Sequence, residues 1–149
     1  MSLTEKINQD IKSAMLGREK EKLEALRAVK SALLLLGSEG GKQEINPEEE
    51  IRLLQKLVKQ RKEAADIYRS QQREDLAGAE LFQASVIEQY LPEQMSPEEM
   101  KVAVSGIIAK LGASSVKDMG RVMAAASAEL SGKADNKTIA ALVKEMLAV

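Results

Sequence analysis

The chain of 149 residues has no cysteine and no histidine. Disulfides, thiolate nucleophiles and metal sites built on Cys or His ligands are therefore excluded. Ser-His and Cys-His catalytic pairs are excluded with them. A magnesium or calcium site made only of carboxylates stays open, but no EF-hand spacing is present. Aromatic residues make up only 2% of the chain: Tyr68, Phe82 and Tyr90. The core must then be built from Leu, Ile, Val, Ala and Met, a mixture that suits helices better than strands. Long apolar runs are missing too. None exceeds five residues, as in "ALLLL", Ala32 to Leu36, far short of the roughly 20 residues that a membrane span needs. The opening "MSLTEKINQD" is polar and helix-like, unlike a signal peptide. A cytoplasmic location without a membrane partner is the expectation. Charge of one sign is also not in excess. Lys and Arg number 22 against 23 Asp and Glu, a formal net charge of −1. Split after Tyr90, the first part carries 15 basic and 16 acidic residues, and the second carries 7 of each. Bulk charge marks neither part as a polyanion binder, so a nucleic-acid role needs a local patch.

What is present is helical periodicity from end to end. Ser2 is a good N-cap with Glu5 as its capping-box partner, and Ile7, Ile11, Ala14 and Met15 recur on one face up to Gly17. A second helix is expected from about Arg18 to Leu36, with Leu23, Leu26, Val29, Ala32, Leu33 and Leu36 as its buried stripe. The glycine-rich "GSEGGKQEI" reads as the clearest loop. Asn46-Pro47-Glu48-Glu49 starts a third helix that runs to about Gln72, with Ile51, Leu54, Leu57, Val58, Ala64, Ala65 and Tyr68 inward. A fourth runs from about Glu74 to Tyr90, with Leu76, Ala79, Phe82, Val86 and Ile87 inward. Leu91-Pro92 stops it, and Ser96-Pro97-Glu98-Glu99 restarts the chain with a cap and a capping box. Three shorter helices are expected over about 97–111, 116–130 and 136–147. Gly112 and Gly132 stand at C-cap positions, Ser115 and Asp135 at N-caps. The whole is all-α: an N-terminal domain of about four helices (1–92) and a small C-terminal module of three (93–149), divided within "LPEQMSP".

The stretch "SGKADNKTIAALVKEML", Ser131 to Leu147, resembles a phosphate loop at first sight. A P-loop needs G-x-x-x-x-G-K-[ST] between a strand and a helix. Here Ala134 follows Lys133, Ser127 stands where the first glycine belongs, and the preceding "RVMAAASAEL" is helical. The stretch reads instead as a joint in which Gly132 ends one helix and Asp135 caps the next. Lys133 and Lys137 remain candidate contacts for a ligand's phosphates.

The most basic segment is "KLVKQRKE", with Lys56, Lys59, Arg61 and Lys62 on several faces of one helix. Arg61 lies four residues from both Leu57 and Ala65, within the apolar stripe. A cation there calls for a carboxylate partner, Glu80 or Glu88, or else contacts a phosphate. In "REDLAGAE", Glu74 and Asp75 fit a helix N-terminus, and nothing suggests the buried carboxylate that acid–base catalysis requires. Met119, Met123 and Met146 read as core side chains, or alternatively as an adaptable interaction groove. Gly120 falls within a predicted helix, where it costs about 1 kcal/mol relative to Ala. It marks a close helix contact, or leaves backbone open to a partner.

Six stretches carry a family resemblance: "AMLGREKEKLEALRAVKSAL", "VKQRKEAADIY", "REDLAGAE", "QYLPEQMSPEE", "GASSVKDMGRVM" and "GKADNKTIAALVKEML". In this order they resemble the YqeY-like proteins. Their C-terminal half is similar to the tail of the B subunit of tRNA-dependent amidotransferases, the GatB/YqeY domain. The resemblance implies an all-α fold in two parts, and a C-terminal module related to one that helps hold tRNA while catalysis happens elsewhere. Lys117, Gly120, Arg121, Gly132, Lys133, Ala134, Asp135 and Lys137 match the family's motif; Ala124 and Asn136 depart from it, at positions where glycine is common. The chain has no room for the amidase machinery or for the ATP-dependent core, so the resemblance implies no catalytic residue and no cofactor.

Three functions follow for testing. The first is a non-catalytic helical module that binds tRNA or a related RNA, with Lys56, Lys59, Arg61, Lys62, Lys117, Gly120, Arg121, Lys133 and Lys137 as candidate contacts. The second is an adaptor that docks on an amidotransferase or another translation-related protein. The third, ranked last, is glutamine-dependent amide transfer, a carbon–nitrogen ligase chemistry. No small-molecule substrate is expected.

Overall fold

A computed structural model describes residues 2–38 and 45–148. Most of the expected glycine-rich loop lies outside the described residues. Within them the chain is all-helical: α1 (Leu3–Leu16), α2 (Lys20–Ser38), α3 (Pro47–Ser70), α4 (Glu74–Glu88), α5 (Pro97–Leu111), a 3-10 turn (Val116–Asp118), α6 (Met119–Glu129) and α7 (Asn136–Leu147). Two compact units result, Met1–Leu91 and Pro92–Val149. Among the described residues no helix is long and apolar enough to cross a membrane.

Helix starts follow local chemistry. Ser2 Oγ accepts the Glu5 N–H at 3.1 Å. Asn46 accepts the Glu49 N–H at 2.8 Å and donates back to the Glu49 carboxylate at 2.9 Å, with Pro47 at the first helical position. Ser96 and Glu99 form a complete capping box ahead of α5. Each such cap satisfies backbone N–H groups that a helix start leaves unpaired, worth about 1 kcal/mol. The α1–α2 turn departs from expectation. Gly17 ends α1 in a right-handed conformation, and Arg18 takes the left-handed one (φ 53°), so α2 begins at Lys20. Gln72 does the same between α3 and α4 (φ 60°). Neither position is glycine, so packing of the flanking helices must hold this conformation.

In the first unit α1 packs on α2, and α4 packs on both α2 and α3, its pairing with α3 being the most extensive. The core joins Ile7, Ala25, Leu26, Val29 and Leu33 with Leu54, Val58, Ala84, Val86 and Ile87. Leu23, Leu53, Leu57 and Tyr90 pack against its edge. Two predicted core residues face outward. Met15 is 54% exposed and Phe82 is 42% exposed. Ile7, Ile11 and Ala14 already complete the α1 face that meets α2, and Met15 lies one residue, about 100°, beyond Ala14. On α4, Ala77, Ala84 and Ile87 take the inward face instead. Tyr90, just beyond α4, donates its hydroxyl to Asp10 on α1, and Lys6 lies 5.6 Å from its ring centroid, within cation–π reach.

In the second unit α5, α6 and α7 each pack on the other two, and the 3-10 turn packs on α6 and α7. Its core is Met100, Val104, Ile107, Val122, Ala126, Leu130, Ile139, Val143 and Leu147. Met119, Met123 and Met146 are half-buried against that core, as the packing reading expects. The sixth helix is not continuous from Val116: its first turn is 3-10, and α6 proper starts at Met119.

Candidate functional site

Four candidate cations lie on α3 in the first unit. Lys56 and Lys59 are exposed, and neither side chain has a hydrogen-bond or ion-pair partner among the described residues. Helical spacing places Glu63 one turn beyond Lys59, so carboxylates share this face. Lys62 is engaged: its Nζ lies 2.7 Å from Glu88 on α4. That pair corrects the expectation for Arg61. Glu88 is taken by Lys62, and Arg61, half-buried, donates from Nε to Gln83 Oε1 at 3.1 Å and from Nη1 to the Leu57 carbonyl at 3.2 Å. Neutral oxygens are enough for a guanidinium that still reaches water. Arg61 and Lys62 thus hold α3 to α4, and their first role is packing.

In "REDLAGAE", Glu74 and Asp75 stand in the first turn of α4, as expected of a helix N-terminus, though no side-chain cap bond forms. Arg73 occupies the N-cap position of α4 and offers no side-chain acceptor. It grips Asp75 with two hydrogen bonds, 3.2 and 3.1 Å, while Arg69 lies 3.6 Å from Glu74. The guanidinium holds the Asp75 carboxyl below the usual carboxylate range.

The second unit carries the other five candidates. Lys117 stands on the 3-10 turn, Gly120 and Arg121 in the first turn of α6, Lys133 in the α6–α7 joint and Lys137 in the first turn of α7. All five are exposed. Among the described residues, the side chains of Lys117, Lys133 and Lys137 have no hydrogen-bond or ion-pair partner. Arg121 does have one: its Nη2 donates to Asp118 Oδ1 at 3.2 Å. A Cβ added at Gly120 would meet nothing within 4 Å. The close-contact reading of Gly120 is therefore corrected. No neighbour requires the missing side chain, and the backbone there is open.

The joint Ser131–Asp135 is more tightly built than its sequence suggests. Gly132 is buried with φ 77°, a left-handed conformation that favours glycine. Its carbonyl accepts Gln94 Nε2 at 2.7 Å, and the Lys133 carbonyl accepts the Met95 N–H at 2.9 Å. The segment entering α5 is thus latched onto the α6–α7 joint. Asp135 stands at the N-cap of α7 but makes no side-chain bond to a backbone N–H; Thr138 Oγ1 approaches its carboxylate at 3.5 Å instead. The expected side-chain cap is absent there, as it is at Ser115.

Asp118 was not singled out in the sequence. Its Oδ2 accepts the Ser114 N–H at 3.0 Å, tying the end of the α5–α6 connection to the 3-10 turn. That bond first, and then the Ser115 amide and Arg121, hold its carboxyl below the usual range. The signal was an aspartate four residues after the first of two serines just before a helix, a common arrangement for reaching back to a free N–H. A shallow cleft of about 180 Å³ lies between α5 and α7, lined by Met100, Lys101, Thr138, Leu142 and Glu145 among others. It is smaller than the roughly 300 Å³ at which small-molecule pockets begin.

Comparison with curated proteins finds no match. The model of one family, described as Yqey-like protein, matches residues 4–147. That span covers nearly the whole chain and includes all nine candidate contacts, so the chain belongs to the YqeY-like family.

Proposed function

We propose that this protein is a non-catalytic helical module that binds tRNA, with the joint and turns of its C-terminal unit supplying the phosphate contacts. One observation carries the reading: Lys117, Lys133 and Lys137 are exposed and have no side-chain partner among the described residues. An ammonium with no carboxylate partner is available to displace counterions from a phosphate backbone. The similarity of the GatB/YqeY tail to this unit supplies the class of RNA. Lys56 and Lys59 give the first unit a separate set of exposed cations, diluted by Glu63. Arg61 and Lys62 contribute less, because both are already engaged.

The test is a gel-shift titration with tRNA over a range of salt. Wild-type protein binds at low salt. Changing Lys117, Lys133 and Lys137 together to Ala makes the slope of log K against log salt shallower by about 2–3 and leaves the helical content unchanged. Absence of wild-type binding at low salt refutes the reading.

The adaptor reading draws on exposed apolar side chains, notably Leu16 at 80% exposure. It does not draw on the methionines, which are packed inward. Recovery of an amidotransferase or translation-related protein by wild-type chain, lost with Leu16→Asp and kept in the triple lysine variant, selects it over RNA binding.

A further inference from the structure

Arg121 and the three lysines of the C-terminal unit differ in one respect that matters for a polyanion. Among the described residues the lysine side chains have no partner, whereas the Arg121 guanidinium rests on Asp118 at 3.2 Å. Asp118 cannot simply swing aside when a phosphate arrives. Its other oxygen is held by the Ser114 N–H at 3.0 Å, and its own N–H donates to the Ser115 carbonyl at 3.0 Å. The carboxylate is thus fixed beside Arg121 by the turn itself.

Resting on the RNA reading above, we propose that Asp118 is an electrostatic brake on Arg121: its carboxylate, pinned by the Ser114 N–H, neutralises the guanidinium and keeps it out of the phosphate-contact set. A phosphate that approaches Arg121 must compete with a carboxylate already in place and meets that carboxylate's negative charge. The pair as a unit carries no net charge and releases no counterion. Three features of this turn point the same way. Asp118 and Arg121 are one helical turn apart and in contact. The anchor on Ser114 makes the aspartate the fixed member. The guanidinium is the more exposed member, held at one nitrogen. Asp118 is ionised at neutral pH as an ordinary aspartate is, and the same backbone bond pushes its carboxyl further below the usual range.

A brake and a purely structural aspartate respond oppositely to replacement. An aspartate that only stabilised its turn would, on replacement, loosen the unit and weaken binding. A brake does the opposite. Asn at position 118 keeps an oxygen for the Ser114 N–H and removes the charge. Arg121 is then released to take a phosphate.

The experiment is a double-mutant cycle on the full chain, with tRNA as the probe: wild type, D118N, R121A and D118N/R121A, each over a salt series and each checked for helical content. D118N is expected to bind tRNA about three- to tenfold more tightly than wild type and to steepen the salt slope by about 1. R121A alone is expected to change affinity by less than about twofold, and R121A in the D118N background removes the gain, which is the non-additivity of two coupled residues. Three results overturn the brake: D118N folds but binds no better, D118N gains equally in the R121A background, or R121A alone costs tenfold or more. The last needs no change at Asp118 and stands even where D118N fails to fold. Wild-type chain that does not bind tRNA at low salt overturns the RNA reading and the brake with it. Wild-type chain that binds, loses salt dependence in the triple lysine variant and shows an additive cycle keeps the RNA reading and overturns the brake alone.

Discussion

Replacing Gly120 and Gly132 by alanine, one at a time, should move stability in opposite directions. Both glycines belong to the family-matching stretches of the C-terminal unit, yet the structure gives them opposite needs. Gly120 lies in the first turn of α6 with open space around its Cα. Alanine there costs no contact and reduces the freedom of the unfolded chain, so G120A stabilises by about 0.5–1 kcal/mol. Gly132 is buried at φ 77°. An L side chain in the left-handed region costs about 1–2 kcal/mol, and a buried Cβ adds to that. G132A also strains the turn whose carbonyls hold Gln94 and Met95. The two variants should therefore differ by about 2–3 kcal/mol. For a unit of this size 1 kcal/mol is about 4–8 °C in Tm, so the C-terminal transition rises by roughly 4 °C in G120A and falls by roughly 8 °C or more in G132A. Thermal unfolding of the full chain, followed by far-UV circular dichroism and by calorimetry, reads both. Loss of stability in G120A would mean that something packs against that backbone. An unchanged G132A would mean that the joint does not need its left-handed turn, and the account of the latch would fail.

Two further predictions concern the N-terminal unit. Y90F removes the hydroxyl that donates to Asp10 and should cost about 1 kcal/mol. Burial first, and then the bond to Asp10, push the Tyr90 phenol well above its ordinary value of 10.0. The folded state therefore keeps a proton that the unfolded chain loses. The contribution of Tyr90 is complete below about pH 10 and is lost as pH rises above it, so the wild-type advantage over Y90F in chemical denaturation shrinks in alkali. An advantage that grows with pH there would reverse the sign of the argument. In the run "ALLLL", Leu33 is buried while Leu35 is 64% exposed. L33A should cost about 2–5 kcal/mol, and L35S should stay within about 0.5 kcal/mol. Equal effects in urea titration would refute the assigned face of α2.

The legible parts of this fold are those governed by short-range bonds. Ser2, Asn46 and Ser96 announce helix starts because a cap needs only its own hydroxyl or amide and an N–H a few residues on. The buried stripes follow from periodicity, which is why Leu26, Val29, Leu54 and Val58 could be named in advance. Met15 and Phe82 could not be placed that way. A stripe defines a face only to within about 100°, and which edge is covered depends on the neighbouring helix. The same holds at Arg18 and Gln72, where no glycine signals the left-handed turn. The latch from Gln94 and Met95 to the 131–135 joint is wholly non-local, and nothing near either end foretells it.

The candidate contacts show the same division for charge. A sequence gives the position of every cation but not its partner, and the partner decides what the cation can still do. Arg61 was expected to need a carboxylate because its spacing puts it inside an apolar stripe. The half-buried guanidinium instead takes Gln83 and a backbone carbonyl. That leaves Glu88 to Lys62, so two members of the most basic segment are spent on joining α3 to α4. In the C-terminal unit Asp118 engages Arg121, and the side chains of Lys117, Lys133 and Lys137 have no partner among the described residues. A net charge of −1 is therefore a poor guide to which of this protein's cations are available. Long-range attraction is weak in either case, screened within roughly 8 Å at physiological salt. What remains is short-range and local: an ammonium that no carboxylate holds, on a turn fixed by backbone hydrogen bonds, is available to a phosphate at little conformational cost. Lys133 meets that description most closely, because its own backbone N–H and carbonyl are both bonded within the joint while its side chain is exposed.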